Sequence, residues 1–213
     1  MTNTADFLLT VDGLSILRGP RYLCRDLEFS ARAGALVHVR GPNGSGKTSL
    51  MRTLAGLALA ESGSIKWFGQ PLKSSNAEQR ANFAYLGHAN GLKSGLTPRE
   101  NLRFSAALND GDTWKTIDTV LEKLDVLKQA NLPCRFLSAG QKRRVAFARI
   151  ANSTRTVWLL DEPFTCLDAT GIASVTGLIG EKLKQGGLVI MSSHQEIPLI
   201  SDRLVQVNLE SVQ

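Results

Sequence analysis

Short apolar runs separated by turn residues fill the first ninety positions of the chain, a pattern typical of β-strands. The run from Leu36 to Val39 ends in a Gly-Pro-Asn-Gly turn, and apolar residues at helical spacing follow from Lys47 to Leu57. This order predicts a strand, a glycine-rich turn and a helix. The pattern also predicts strands at Phe7 to Val11, Ser15 to Arg18, Leu27 to Ala31, Ala35 to Arg40, Ser64 to Trp67 and Asn82 to Leu86.

Helical periodicity replaces this pattern from about Leu96 to Gln129. Thr97 is placed to cap a helix, Pro98 suits its first turn, and Glu100 completes a capping box. A second helix is predicted from Thr113 to Leu127. This part of the chain is therefore expected to be helical.

Two strongly apolar runs in the last third, Thr156 to Leu160 and Leu188 to Ser192, predict buried parallel strands. Gly171 to Leu183 predicts a helix between them. Strands that alternate with helices indicate an α/β fold. We expect one domain, residues 1–213, with a mostly parallel core sheet, an N-terminal antiparallel β subdomain and a helical subdomain at approximately residues 88–137.

Composition places the chain among ordinary soluble globular domains, because 43% of its residues are apolar and 21% are charged. Lysine and arginine total 25 against 19 acids, a net charge of +6. That positive surplus is compatible with phosphate ligands, anionic lipid or nucleic acid, and it does not distinguish between them. The densest basic cluster, Lys142-Arg143-Arg144, is followed by apolar residues and predicts an amphipathic helix.

The cysteines Cys24, Cys134 and Cys166 are widely spaced and odd in number, so neither a disulfide framework nor covalent haem attachment is predicted. No apolar run approaches the ~18 residues that cross a bilayer. The first ten residues lack the layout of a signal peptide. If the chain serves a membrane process, a partner is expected to supply the membrane part.

A phosphate-binding loop is predicted where Gly41-Pro42-Asn43-Gly44-Ser45-Gly46-Lys47-Thr48 fits the pattern G-x-x-x-x-G-K-S/T between a strand and a helix. The glycines let backbone N–H groups point at phosphates, and the helix N-terminus adds positive potential. Lys47 is expected to reach the β- and γ-phosphates and Thr48 to bind Mg²⁺, with Ser49 also at the nucleotide. The alternative is a plain strand-to-helix turn.

Two acids, Asp161 and Glu162, come directly after the apolar run that begins at Val157. An open parallel sheet presents its ligand-binding edge at such strand ends. Asp161 suits Mg²⁺, directly or through water, and Glu162 suits the general base that activates the attacking water. An acidic pair at a strand end is often only a turn, but the phosphate loop in the same chain favours catalysis.

A small-residue turn, Leu137-Ser138-Ala139-Gly140-Gln141, opens the predicted basic helix and offers a second helix N-terminus to an anion. With this turn the chain resembles the ATP-binding-cassette (ABC) ATPases, whose signature L-S-G-G-Q appears here with Ala139 in place of a glycine. The resemblance covers essentially the whole chain in the family's order of motifs. It implies a P-loop NTPase fold of the ABC type that binds ATP and Mg²⁺ and hydrolyses ATP.

The resemblance also implies a head-to-tail dimer of two copies of the chain. In that dimer the phosphate loop of one copy and Ser138, Gly140 and Gln141 of the other enclose one ATP. His194 is implied to contact the γ-phosphate as a catalytic residue, and Asp168 to couple the two sites. Without the resemblance, a lone histidine at a strand end would be read as structural.

Two positions depart from the family's pattern. His88 stands where the family usually has a glutamine that links the metal to the helical part, and a purely structural histidine remains an alternative there. Near the N-terminus, the position that stacks an aromatic ring on adenine falls on Arg18, with Tyr22 nearby. A guanidinium also stacks on adenine, so either residue could serve, and the count from the phosphate loop points to Arg18.

Several short segments, among them Gly87-His88, Leu96-Thr97-Pro98-Arg99-Glu100 and His194-Gln195, together resemble the ATP-binding subunits of cytochrome c maturation systems. This resemblance implies a peripheral subunit on the cytoplasmic face of a bacterial inner membrane, paired with separate integral membrane subunits of the maturation complex. ATP turnover would serve haem delivery or release of a haem-loaded chaperone. Haem is expected to be handled by the complex and not by this chain.

Two other functions stay open at this point. The chain could energise another exporter, since a motor without a substrate pocket says little about cargo. ABC ATPases also act on nucleic acid in soluble machines, and the basic charge is compatible with that role. Such machines usually carry two cassettes or a long coiled-coil insertion, and this chain has one cassette, so we expect no nucleic-acid partner.

Overall fold

The structure is a computed structural model that describes residues 7–73, 77–109, 116–194 and 201–209. Within these residues the strands form two sheets, one antiparallel and one parallel. The strands are β1 (Phe7–Arg18), β2 (Arg21–Arg32), β3 (Leu36–Arg40), β4 (Ser62–Trp67), β5 (Gln70–Pro71), β6 (Phe83–Leu86), β7 (Val157–Asp161), β8 (Leu188–Ser193) and β9 (Leu204–Asn208). The α-helices are α1 (Lys47–Leu54), α2 (Ala77–Arg80), α3 (Pro98–Asn109), α4 (Ile117–Lys123), α5 (Ala139–Ala151) and α6 (Ala169–Lys184).

The antiparallel sheet has the order β2-β1-β4-β5 and comes from the first part of the chain. The two strands predicted before residue 18 are one strand, because Gly13 takes a positive φ of 58° and bends β1 without ending it. β2 starts at Arg21 and not at Leu27. The charged residues Arg25 and Asp26 interrupt the apolar alternation there, although the pairing with β1 continues past them.

The parallel sheet has the order β6-β7-β8-β3-β9, and all its described pairings are parallel. Asp161 at the end of β7 lies opposite Ser192 of β8, which in turn lies opposite Val39 of β3. The carboxyl ends of these strands therefore meet at one edge. Edge strand β9 was not predicted, although Val205, Val207 and Leu209 alternate with polar residues there.

Helices α3, α4 and α5 lie between β6 and β7 in the chain. The predicted capping box is confirmed: the backbone N–H of Thr97 donates to Glu100 Oε2 at 2.8 Å, and the N–H of Glu100 donates to Thr97 Oγ1 at 3.2 Å. The start predicted at Thr113 lies outside the described residues. Helix α4 ends at Lys123 and not at 127, because Asp125 adopts a positive φ of 53°.

The hydrophobic core has two parts, one on each face of the parallel sheet. On one face, α1 and the antiparallel sheet pack together around the fully buried Trp67. On the other face, α5, α6 and the helical segment pack around Phe147. None of the helices within the described residues is long and apolar enough to cross a membrane. Chemically active residues are left at the edge where the parallel strands end.

Candidate nucleotide-binding and catalytic site

The loop between β3 and α1 has a backbone that only glycine permits at two positions. Gly41 and Gly46 have φ values of 155° and 99°. A Cβ atom at Gly41 would lie 2.6 Å from the carbonyl oxygen of Leu209, and one at Gly46 would lie 2.8 Å from Leu23 Cβ. The loop is therefore pressed against β2 and the end of β9, and its shape is set by its glycines.

Two polar side chains of this loop point into the protein. Lys47 is only 6% exposed, and its Nζ donates to the carbonyl oxygens of Gly41 at 2.8 Å and Pro42 at 3.1 Å. Ser45 Oγ is buried and has no hydrogen-bond partner within the described residues. A buried hydroxyl without a partner costs free energy unless a ligand meets it. An ammonium group and a free hydroxyl in one cradle fit a phosphate.

Asp161 ends β7 and is 1% exposed, so its carboxylate is buried at the edge of the sheet. Thr48 Oγ1, at the start of α1, donates to Asp161 Oδ2 at 2.7 Å. Ser192 Oγ of β8 donates to the other carboxylate oxygen at 2.6 Å. Three elements thus bring hydroxyl and carboxylate oxygens together, the donor types that Mg²⁺ prefers.

Glu162 follows directly, but its backbone turns away from the strand with a positive φ of 49°. Ser192 Oγ accepts the N–H of Glu162 at 3.0 Å. The side chain lies between two groups: Glu162 Oε1 is 3.6 Å from Lys47 Nζ, and Oε2 is 3.2 Å from His194 Nδ1. The structure therefore joins the predicted base, the loop lysine and the predicted histidine in one cluster.

The signature turn, residues 137–141, faces a separate polar cavity. Ser138 caps α5 in a full capping box, because its Oγ accepts the N–H of Gln141 at 3.2 Å and Gln141 Oε1 accepts the N–H of Ser138 at 2.9 Å. Asp168 caps α6 by accepting the N–H of Gly171 at 2.8 Å. A polar cavity of about 490 Å³ lies over this turn. The described residues that line it are Asp125, Lys128, Gln129, Ser138, Gly140, Gln141, Arg144, Cys166 and Asp168. Residues 41–49 of the phosphate loop are absent from that lining.

The structure leaves two predicted site residues apart from these clusters. His88 is exposed in the loop after β6 and makes no hydrogen bond or ion pair with any other described residue. Arg18 is exposed at the end of β1, opposite Arg21. The ring of nearby Tyr22 is covered on one side by the Arg25 guanidinium, 3.9 Å from its centroid. The neighbouring residue of β2, Leu23, touches the phosphate loop, so this strand end lies close to the site.

Two residues near the acids were missed by the sequence analysis. Ser192 looked like the end of an apolar strand, and only the register that sets it opposite Asp161 reveals its role. Arg143 belonged to a basic cluster expected on an amphipathic helix, but Arg143 and Arg144 are only 3% and 6% exposed. Both guanidiniums bond to protein oxygens, so these two arginines serve contacts within the protein.

Burial also fixes the charge of nearby groups. It raises the pKa of Tyr85 to about 12, with the negative charge of Asp161 adding to the effect, so this phenol is neutral at physiological pH. Burial lowers the pKa of Arg143, while the charges of Asp161, Cys166 and Glu162 act in the opposite direction. The cysteines Cys24, Cys134 and Cys166 are free thiols, the last one exposed.

Comparison with known proteins agrees with this geometry. The ABC transporter family matches residues 24–165. A cytochrome c biogenesis ATP-binding export protein, CcmA, of Dechloromonas aromatica is 40% identical over 204 residues, which covers 95% of this chain and 100% of that protein. The protein of the same name from Nitrosomonas europaea is 42% identical over 192 residues, 89% of this chain and 90% of that one.

Among solved structures, a putative ABC transporter ATP-binding protein of Pyrococcus furiosus is 26% identical and superposes with a TM-score of 0.80. The match covers 94% of this chain and 96% of that one. Fold, site and comparisons define the class of protein, a P-loop ATPase of mixed α/β architecture. The chain belongs to the ABC transporter family, and it is an ABC-type ATPase that binds and hydrolyses ATP.

Proposed function

We propose that the chain is the ATP-hydrolysing subunit of an export complex that serves cytochrome c biogenesis. The observation that carries this proposal is the 40% identity, over essentially the full length of both chains, to a protein named for that process. The geometry at the carboxyl edge of the parallel sheet supports the hydrolytic step, since cradle, acids and histidine lie together there.

ATP phosphates would lie in the cradle formed by residues 41–49. Backbone N–H groups at the start of α1 and the helix dipole favour negative charge there. Lys47 Nζ, bonded to two carbonyls of the loop, lies inside the cradle and would exchange these bonds for the β- and γ-phosphates. Ser45 Oγ, which has no described partner, would donate to a phosphate oxygen.

Mg²⁺ fits the oxygen donors of Thr48 and Asp161. Among the described residues no group of three or more His, Cys, Asp or Glu side chains is arranged to hold a metal, which suits an ion held by one or two protein oxygens, phosphates and water. When bound, Mg²⁺ neutralises charge on the β- and γ-phosphates. His88, which contacts neither donor in the structure, stays a prediction for the metal site.

Glu162 is the proposed general base. Its carboxylate would accept a proton from the water that attacks the γ-phosphate, and its contacts with Lys47 and His194 hold it at the mouth of the cradle. His194 Nδ1 is hydrogen-bonded to Glu162 Oε2, so the ring would lie beside the same phosphate. Asp161 is used differently, because both its oxygens accept hydroxyl donors within the protein.

A second copy of the chain would complete the site. Ser138, Gly140 and Gln141 line a polar cavity to which residues 41–49 do not contribute, which supports a site that a second chain would complete. The N-terminus of α5 would then face the γ-phosphate. Arg18, exposed at the strand end beside the loop, is the proposed partner of the adenine ring.

The work of the subunit would be haem delivery, or release of a haem-loaded chaperone, at the cytoplasmic face of a bacterial inner membrane. Mg²⁺-ATP would be consumed by this chain, and haem would be handled by integral membrane subunits. Another ABC exporter remains the second candidate, because nothing in a motor domain selects cargo.

Affinity purification of the tagged chain from native membranes tests the proposal. We expect integral membrane subunits to copurify and ATPase activity to accompany them, together with loss of cytochromes c in cells that lack the chain. Copurification of nucleic acid without membrane proteins, or normal cytochromes c in such cells, would contradict the proposal.

A further inference from the structure

One guanidinium binds the turn that carries Glu162. Arg143 of α5 lies 3% exposed behind the end of β7. Its Nη2 donates to the carbonyl oxygens of Asp161 at 2.8 Å and Glu162 at 2.7 Å, and its Nε donates to the carbonyl oxygen of Pro163 at 3.3 Å. Three consecutive carbonyls are thus held by one planar group.

The same guanidinium reaches a second loop. Nη1 of Arg143 donates to the carbonyl oxygen of Gly87 at 3.0 Å and to Asn90 Oδ1 at 3.1 Å. These two residues flank His88 in the loop that follows β6. Arg143 of α5 therefore binds both the loop that contains His88 and the turn that contains Glu162.

Every N–H of this guanidinium is used. Arginine has five donors in a fixed plane, and Arg143 makes five hydrogen bonds, all to neutral carbonyl or amide oxygens. A buried charge without a carboxylate among its bonded partners is costly. The guanidinium of Arg143 contributes by geometry, because its planar set of donors holds several acceptors in fixed positions. The compact ammonium group of a lysine does not reproduce that arrangement.

The backbone that Arg143 holds is strained. Glu162 has a φ of 49°, a region that is unfavourable for a non-glycine residue and persists only where surrounding bonds enforce it. Ser192 Oγ holds the N–H of Glu162 on one side, and Arg143 Nη2 holds its carbonyl on the other. This conformation directs the Glu162 side chain toward Lys47 and His194.

We propose that Arg143 is a positioning residue for hydrolysis: it holds Glu162 in its strained conformation and ties that conformation to the Gly87–Asn90 loop. Arg143 touches neither ATP nor the reacting water, and it acts through the backbone of Glu162. A displacement of the loop would therefore be transmitted to the general base. The inference rests on the proposed role of Glu162.

The test is the ATPase kinetics of Arg143→Lys in the complex isolated from membranes. We expect kcat to fall by about 100-fold, the loss typical of a small misplacement of a catalytic group, with KM for ATP within about two-fold of wild type. In a Glu162→Gln background, Arg143→Lys should lower the residual rate by much less, since a residue that acts through Glu162 has nothing left to position.

Arg149→Lys is the matched control. Arg149 lies on the same helix, and its described hydrogen bond is a single one to the carbonyl oxygen of Tyr85 at 3.4 Å. We expect its kcat to stay within about three-fold of wild type, an effect that Arg143→Lys should clearly exceed. A kcat for Arg143→Lys as high as that of the control would overturn the inference. So would an equal fold-loss in kcat when Arg143→Lys is made in wild type and in Glu162→Gln.

Asn90→Ala tests the second arm, and it keeps the inference testable if Arg143→Lys does not fold. This change removes one acceptor that fixes the Arg143 guanidinium but none of the acceptors in the turn, so we expect a smaller fall in kcat, of about 3–10-fold, at unchanged KM. An unchanged kcat would overturn the link to the loop. A wild-type complex without ATPase activity, or a Glu162→Gln variant at full activity, would instead overturn the proposed function.

Discussion

At the residue scale, two adjacent carboxylates have separate environments because the backbone turns between them. Asp161 remains in β7, 1% exposed, and both of its oxygens accept hydroxyl groups. Glu162 leaves the strand with a positive φ, and its carboxylate lies between Lys47 and His194. The first environment suits a metal ligand and the second suits a proton acceptor.

We therefore predict that Glu162→Gln lowers ATP turnover by about 10²–10⁴-fold, because the cradle survives while the base is lost. ATP affinity should stay close to that of wild type, as measured by equilibrium nucleotide binding. Glu181→Gln, a change in an exposed glutamate that pairs with Lys123 on the surface, is the control and should leave turnover unchanged. Undiminished turnover in Glu162→Gln would show that another group is the base.

The sequence predicted the residues of the cradle and both acids, since their spacing is local. It did not predict Ser192 or Arg143 as parts of the site. Ser192 meets Asp161 through the register of two strands separated by a helix, and Arg143 meets Glu162 by packing of α5 under the sheet. Long-range packing of this kind leaves no signature in the neighbouring sequence.

At the element scale, strand β3 and the antiparallel sheet each contain a buried polar group with a distinct effect on stability. His38 in the middle of β3 is 2% exposed, and its Nε2 has no described partner. Trp67 at the end of β4 is fully buried, and its Nε1 donates to the carbonyl oxygen of Leu54 at 2.9 Å, which ties the sheet to α1.

Burial lowers the pKa of His38 from its usual 6.5, with the charge of Arg40 adding to the effect. The unfolded chain then binds a proton more readily than the folded one, so stability is full above pH 6.5 and falls as the pH drops below that value. We predict that the free energy of unfolding falls less steeply with decreasing pH in His38→Leu than in wild type between about pH 6.5 and 5. The difference in slope, measured by urea unfolding, is at most about 1.4 kcal/mol per pH unit.

Three carboxylates with a lowered pKa act at lower pH than His38. The pKa values of Glu100, Asp118 and Asp168 are lowered from usual values of 4.5, 3.8 and 3.8, the first and third mainly by backbone N–H groups and the second by Arg99. Their contributions are lost only at more acidic pH. An unfolding free energy of His38→Leu that declines between pH 6.5 and 5 as steeply as that of wild type would contradict the prediction.

Trp67→Phe is predicted to lower the free energy of unfolding by about 1–3 kcal/mol more than Trp158→Phe does. Both changes shrink a buried ring, but Trp158 Nε1 has no described partner, so its loss leaves no acceptor unpaired. Trp67→Phe leaves the carbonyl oxygen of Leu54 without its bond. Denaturant unfolding of the two variants measures the difference, and equal losses would contradict the prediction.

Element boundaries were predictable where local chemistry sets them. Thr97 and Glu100 mark the start of α3 in the sequence and in the structure. The early end of α4 was not predictable, because a positive φ at Asp125 gives no clear sequence pattern. Edge strand β9 is a different case, because Val205, Val207 and Leu209 do alternate with polar residues and the strand was overlooked in the sequence.

At the scale of the whole molecule, the chain holds the phosphate loop and the signature turn, the two proposed halves of a nucleotide site, at separate places. The phosphate loop and the acids lie at the carboxyl edge of the parallel sheet, and the signature turn faces its own polar cavity. Two copies arranged head to tail would pair each loop with the other copy's turn. The fold class followed from the alternation of strands and helices, but this separation required the structure.

Mixing two defective variants tests the shared site. Lys47→Ala removes the cation of the phosphate loop. Ser138→Asp keeps a good helix cap but places a negative charge opposite the γ-phosphate. Each variant alone should therefore be inactive. A mixed dimer contains one site without either defect, and we expect the mixture to regain ATPase activity. Failure to regain activity, with mixed dimers verified by affinity tags, would count against a site shared between copies.

The central claim is that ATP hydrolysis at Glu162 supports cytochrome c biogenesis. The most direct measurement is the amount of cytochrome c with covalently attached haem in cells that lack the native chain and express wild type, Glu162→Gln or Glu181→Gln. We predict that wild type and Glu181→Gln restore these cytochromes, and that Glu162→Gln, present at an equal level, does not. Full restoration by Glu162→Gln, or no restoration by wild type, would contradict the claim.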